Sequence, residues 1–453
     1  MSRLLASRYL GIAVLVLGLA IFYVALPLWL AHKGAPDRHY SGLAAMAALA
    51  ISAMIVGFKL PWLDARFASG APRFGIHGGA FQALIWGSFI LFALVVIATA
   101  RRIPLLSALQ GASELQLSVE RGDFLKTRTG WQAAFVYISA IYVGALLPYA
   151  TARLFIQRHP LRFAAVSTFL LYALLALEKS AFIFVLGPLV WLALRRADYR
   201  AAVCLLALSA AILYTITVLA RGGVKNEPTF SMAPTQFKAS RGANATQADY
   251  FSLKYDRKGA IDHIIWRAIV VPVVTAGDAL RVFEEKFNGR HFRGATSSFL
   301  AKVAGQKRVN YDAEVFTYQY GNIDIGRSNT VYIIEAFVNF GWLGVIAFSL
   351  FIGQGLRWFF QTADEAIHVM WPLFCFFIFI GGLIPTLLSN GYAAIFAIAL
   401  FGRPYSRAEG GMEGHSRTWR RIGRSLAQAE AHEASPHGNH SAPIVGVRAT
   451  TEA

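Results

Sequence analysis

Charge is scarce in this chain: Asp, Glu, Lys and Arg make up 15% of its 453 residues, against roughly 25% in soluble domains. Cysteine is scarcer still. Cys204 and Cys375 each lie within an apolar run, which leaves no disulfide framework and no paired Cys-x-x-Cys centre. There is no GxxxxGK[ST] loop, no HExxH and no GxSxG, so P-loop nucleotide hydrolysis, zinc proteolysis and serine-hydrolase chemistry lack their signatures. No D-x-D carboxylate pair stands ready to hold a metal and a sugar nucleotide. His415, His432, His437 and His440 gather in a tail of Ala, Ser, Gly and Glu, a composition that reads as disorder rather than a metal centre. No cofactor, no metal and no nucleic-acid partner is expected.

What the chain has in quantity is apolar sequence, 56% of all residues. Ten stretches are candidate membrane spans, near residues 9–31, 41–60, 80–100, 131–152, 163–178, 180–194, 199–220, 331–356, 369–388 and 390–402. The first and third are long and uncharged. The pairs 163–178/180–194 and 369–388/390–402 are short for a crossing, and each reads as a tight hairpin or a broken span. The expected fold is all-α, a polytopic membrane bundle of about ten transmembrane helices. It divides into an N-terminal membrane bundle (1–220), a large loop (221–330), C-terminal membrane helices (331–402) and a disordered cytoplasmic tail (403–453). The first apolar stretch carries Pro27 and Trp29 and is too long for a cleaved signal.

Basic residues orient the bundle. With a cytoplasmic N-terminus, the short inner loops hold 12 Lys or Arg and the short outer loops 8, and the tail after Gly402 adds 7 more. Both ends are therefore expected inside. The margin is narrowed by segment 101–130, which carries five cations on the outer face, and the outer loop 221–330 is basic too, with 16 Lys or Arg against 10 Asp or Glu. Positive charge on that face suits an anionic lipid, a diphosphate or an acidic glycan; headgroup attraction alone is the simpler account.

Within the large loop, residues 221–262 read as irregular. From Asp262, the run DHIIWRAIVVPVVTAGDALRVFEEKF repeats apolar residues near helical spacing, with Pro272 expected to break it into two short interfacial helices. Trp266 would anchor them, with Arg267 reaching to headgroups. Gly289, Arg290, Arg293 and Gly294 suggest a basic turn. The next apolar span opens on Arg327, Asn329 and Glu335. A carboxylate inside such a span is costly and is a functional candidate by default, the alternative being a structural ion pair with Arg327 or Lys179.

The segment Ser328-Asn329-Thr330-x-Tyr332-x-x-Glu335-Ala336-Phe337-x-Asn339-Phe340-Gly341-x-x-Gly344, behind a very large loop and among about ten spans, resembles the Wzy-type O-antigen and exopolysaccharide repeat-unit polymerases. Arg267 before Pro272 and the Glu178-Lys179 pair are weaker parallels. An Arg-x10-Gly pattern of some members is absent, Asp278 standing where the glycine would be. The resemblance implies a bacterial inner-membrane glycosyltransferase, facing the periplasm, that polymerises undecaprenyl-diphosphate-linked glycan without metal or sugar nucleotide. It would work beside a chain-length regulator and a flippase, in contact with membrane lipid. On this reading Glu335 is the base, and Arg327 and Arg267 act on the leaving diphosphate. Arg290, Arg293, Asn329, Tyr332 and Lys179 bind substrate. An O-antigen ligase or a polysaccharide flippase are the alternatives.

Overall fold

A computed structural model describes residues 9–33, 39–61, 78–178, 181–219, 260–320, 328, 330–362 and 364–401. Every element among them is helical. In chain order these are α1 (Leu10–His32), α2 (Tyr40–Lys59), α3 (Gly78–Ala98), α4 (Pro104–Leu109), α5 (Glu114–Arg121), α6 (Gly130–Ile156), α7 (Arg162–Leu175), α8 (Ala181–Arg195), α9 (Tyr199–Leu219), α10 (Ala260–Phe287), α11 (Ser298–Val303), α12 (Tyr311–Tyr320), α13 (Tyr332–Gln361), α14 (Glu365–Ile380), α15 (Leu383–Leu388) and α16 (Tyr392–Phe401). Six of the described helices, α1, α2, α3, α6, α9 and α13, are long and apolar enough to cross a membrane. Their outward faces carry large apolar side chains, such as Leu17, Leu91, Val203 and Leu343, each more than 60% exposed. In water such surface is a liability; against lipid it is the expected surface.

The turns of α1 and α6 widen at Ala20–Ala25 and Tyr142–Leu146. Pro27 and Pro148 follow within two residues, and a ring nitrogen that cannot donate back to the preceding turn accounts for the irregularity. The short apolar pair at 163–194 is two packed helices, α7 and α8. The last pair is broken more thoroughly than a hairpin: the apolar run from Trp371 is cut at Gly381–Gly382 and again at Ser389–Gly391, giving α14, α15 and α16.

α13 runs along α2, and this contact joins the two ends of the membrane sequence. Gly57 and Gly353 let the two backbones touch, with no room for a Cβ at either position. The last carbonyls of α2 have no partner within their own helix. Here they are met from α13: Gln354 Nε2 donates to Gly57 and Leu60, and Arg357 Nη1 donates to Phe58 and Lys59 at 3.1 Å. A cation at a helix C-terminus also complements its dipole. The described parts of 1–220 and 331–402, separate in sequence, thus belong to one packed unit. The tail 403–453 lies outside the described residues.

Segment 101–130 is not an open basic loop. α5 and the wider helical turn Gly122–Lys126 that follows it bury Leu117, Phe124 and Leu125, and three of the segment's five cations direct their donors to protein acceptors. Arg102 pairs with Glu120 at 3.0 Å. Arg121 Nε donates to the Leu117 carbonyl at 3.2 Å. Arg128 donates to the carbonyls of Phe124 (2.8 Å) and Val96 (3.0 Å) and lies 5.2 Å over the Phe135 ring, closing the C-terminal end of α3. Much of the positive charge here has a structural task.

α10 departs from the sequence expectation. It is one helix of 28 residues with Pro272 inside it, not two short ones. Trp266 is no interfacial anchor either: it is 2% exposed, packed with Val270 and Val274. The face of α10 against the bundle is apolar from Val270 to Phe283, and its burial outweighs the loss of one backbone hydrogen bond at Pro272.

Candidate functional site

The site is built on a fold-back in α13. Gly341 has φ +64° and ψ −155°, a conformation essentially reserved for glycine, and the chain reverses there. Residues 332–340 form a short arm and residues 342–361 a stem of 20 residues, about 30 Å and still long enough to cross a bilayer. The carbonyl of Ala336 presses on Gly344, and the Tyr332 hydroxyl lies 3.0 Å from Ser349 Oγ.

Breaking a helix frees carbonyls. Those of Val338 and Asn339 accept from the backbone N–H of Phe292 (3.0 Å) and Arg293 (2.9 Å). The turn that supplies them uses left-handed φ at Asn288, Gly289, Arg293 and Gly294, the tight basic turn expected from the sequence. Asn339, fully buried, fastens the junction: Oδ1 accepts from Gly294 N–H (3.0 Å), and Nδ2 donates to Thr296 Oγ1 and to the Glu335 carbonyl (2.8 Å each). His291 completes it, between the rings of Phe283 and Phe337; a Cβ at Gly341 would stand 3.1 Å from its Nε2.

On the other side of the arm, Glu335 reaches the break between α14 and α15. Its Oε2 accepts the N–H of Ile384 at 3.2 Å, and the carboxylate fills the space where a side chain on Gly382 would begin. Glu335 is half-buried. A second network holds Ser328, just before the arm. Ser328 Oγ donates to Gln319 Oε1 (2.6 Å), and Gln319 Nε2 donates to Asp278 (2.8 Å) and Thr275 (3.3 Å), both buried in α10.

Of the residues singled out by sequence, Glu335, Arg290 and Arg293 converge on this arm, the last two exposed on the turn docked to it. Tyr332 does not belong to a substrate surface: it is fully buried, its hydroxyl engaged by Ser349. Arg267 is exposed on α10, sixteen residues, or about 24 Å of helix, before Phe283, where α10 meets the turn; it is not part of this corner. Arg327, Asn329 and Lys179 lie outside the described residues, as does segment 221–259. Sequence reasoning missed Gly382 and the Ile384 N–H. The Gly-Gly-Leu-Ile-Pro run at 381–385 was the available signal, since paired glycines before a proline interrupt an apolar helix. Among the described residues no three His, Cys, Asp or Glu side chains are grouped to hold a metal ion.

No protein-family model, curated protein or solved structure matches this chain.

Proposed function

We propose that this chain is a bacterial inner-membrane glycosyltransferase that polymerises undecaprenyl-diphosphate-linked repeat units into surface polysaccharide at the periplasmic face. The observation that carries the proposal is Glu335, an acidic side chain on a broken apolar helix, held at a second helix break and joined through Asn339 to a turn bearing Arg290 and Arg293. An acceptor hydroxyl needs a base within hydrogen-bond reach, which Glu335 supplies. A departing lipid diphosphate needs fixed cations, which Arg290, Arg293 and Arg327 supply. The C–O bond to diphosphate breaks, the bond to the acceptor oxygen forms, and the acceptor's proton passes to the carboxylate. On this reading the chain crosses the membrane about ten times, counting the short apolar helices. Segment 221–330 is outside and both termini are inside.

The O-antigen ligase reading draws on one observation. Ligases are expected to carry a histidine in the loop before the Asn-Phe-Gly span, and His291, which comes from that loop, packs against Gly341. Glycan profiles of a deletion strain separate the readings. Polymerase loss leaves single repeat units on lipid A–core and removes long chains. Ligase loss removes all lipid A-linked glycan. Loss of every surface sugar would identify a flippase and overturn the proposal.

A further inference from the structure

Residues 288–310 read NGRHFRGATSSFLAKVAGQKRVN, with five cations and no carboxylate. None of the five, Arg290, Arg293, Lys302, Lys307 and Arg308, takes part in an ion pair among the described residues. All five are exposed. Within this stretch α11 is amphipathic in an unusual sense: Ala301 is buried against the protein, while Phe299 and Val303, one turn apart, are 58% and 72% exposed. Gly294 sits between Leu300 and Phe340, so α11 adjoins the top of the stem of α13, where Phe340, Trp342 and Leu343 are 39%, 47% and 79% exposed. The two exposed apolar sets thus lie on neighbouring elements at the end of a helix about as long as a hydrocarbon core is thick, with a tryptophan at the level where such rings collect.

We infer that residues 289–308 are a membrane-interface anchor, with Phe299 and Val303 dipping among the acyl chains and the flanking cations binding anionic lipid headgroups. Three observations select lipid over a protein partner. The apolar face adjoins the exposed apolar end of a membrane-length helix. Five cations with no ion-pair partner among the described residues lie in the same stretch, which has no carboxylate of its own, the complement of a phosphate-rich surface. And the element is pinned by main-chain hydrogen bonds to Val338 and Asn339, in the last turn of the arm before Gly341, so it keeps the depth of that fold-back. The interfacial element expected at Trp266 is thus found about thirty residues further on. The consequence is mechanical: a headgroup contact here is one backbone hydrogen bond from the arm carrying Glu335. The inference does not depend on the proposed chemistry.

The full-length protein in lipid nanodiscs tests it. Nitroxide side chains at Phe299→Cys and Val303→Cys should collide more with dissolved oxygen than with an aqueous nickel chelate; a label at Glu284→Cys, on the polar face of α10, should show the reverse. Equal access of the chelate to all three positions would mean the face is in water or covered by protein, and would sink the inference. In detergent, the protein should retain phosphatidylglycerol over phosphatidylcholine. Lys302→Gln, Lys307→Gln and Arg308→Gln should each lower that preference, by up to about fivefold per cation. Unchanged retention in the triple variant would show that these cations do not read the headgroup. Those three side chains lie outside the proposed catalytic set, so a negative result here leaves the polymerase reading standing.

Discussion

The hydroxyl of Tyr332 and the hydroxyl of Ser349 are 3.0 Å apart, although seventeen residues of straight helix would hold their backbones about 26 Å apart. The contact exists because the chain turns back at Gly341. This reversal places Glu335 on an arm beside the stem rather than on a crossing helix, and it exposes the carbonyls that capture the basic turn.

Gly341→Ala should therefore be among the most damaging small substitutions in the chain. Its φ excludes a side chain comfortably, a cost of about 1–3 kcal/mol, and the new methyl meets His291. The thermal midpoint in detergent should fall, with loss of abundance. Gly187→Ala, where the added carbon meets nothing within 4 Å, should be neutral or slightly stabilising. Equal midpoints for the two variants would contradict the fold-back.

Glu335→Gln keeps size and most hydrogen-bonding reach but cannot accept the acceptor's proton. Long-chain glycan should drop by roughly a hundredfold or more at unchanged abundance. Gly382→Ala, which displaces the carboxylate without removing it, should give the same glycan defect. If the Gln variant makes long chains normally, the carboxylate is only a helix cap.

Two arginines should fail in different ways. Arg357→Ala leaves the carbonyls of Phe58 and Lys59 short of a donor, costing about 1–3 kcal/mol of stability, with normal chain length in the protein that survives. Arg293→Ala, an exposed side chain on the docked turn, should shorten chains at normal stability. Glycan gels read alongside membrane immunoblots separate the two outcomes, and identical behaviour would count against the site.

Acid should weaken the 101–130 cap. Burial pushes the Glu120 carboxyl up, but hydrogen bonds from Ser107, Gln116 and Arg102 outweigh it and hold the group below the usual range. A depressed folded value means stability that is present above the unfolded value, near 4.3, and is lost as pH falls through the folded one. The thermal-midpoint gap between wild type and Glu120→Gln should accordingly shrink below about pH 4; a gap that stays constant would show that the charge is idle.

Topology is checked with cysteines at Ala243 and Glu284 in a Cys204→Ser background. Both should react with a membrane-impermeant thiol reagent in cells whose outer membrane is permeabilised. Reaction only after lysis would invert the orientation and remove the functional reading with it.

Composition and apolar run length alone specify a helical membrane protein, because a crossing helix needs about twenty apolar residues, about twice the length of a barrel strand, and a helix satisfies its backbone within itself. The basic turn at 289–294 and the prominence of Glu335 were legible too, since left-handed turns select glycine and a carboxylate in an apolar run is conspicuous. What lay beyond the sequence were relations between distant segments. The reversal at Gly341 looks like an ordinary glycine in an apolar helix until the turn from 288–294 is seen filling the vacated hydrogen bonds. The continuity of α10 through Pro272 depends on an apolar face whose partner is elsewhere in the chain. Tyr332 reads as a polar handle until Ser349 is brought to meet it, and the cations of 101–130 read as ligand sites until carbonyls of α3 and the Glu120 carboxylate take their donors. Spacing rules see one helix at a time; which hydrogen-bonding groups are left over is decided only when the helices pack.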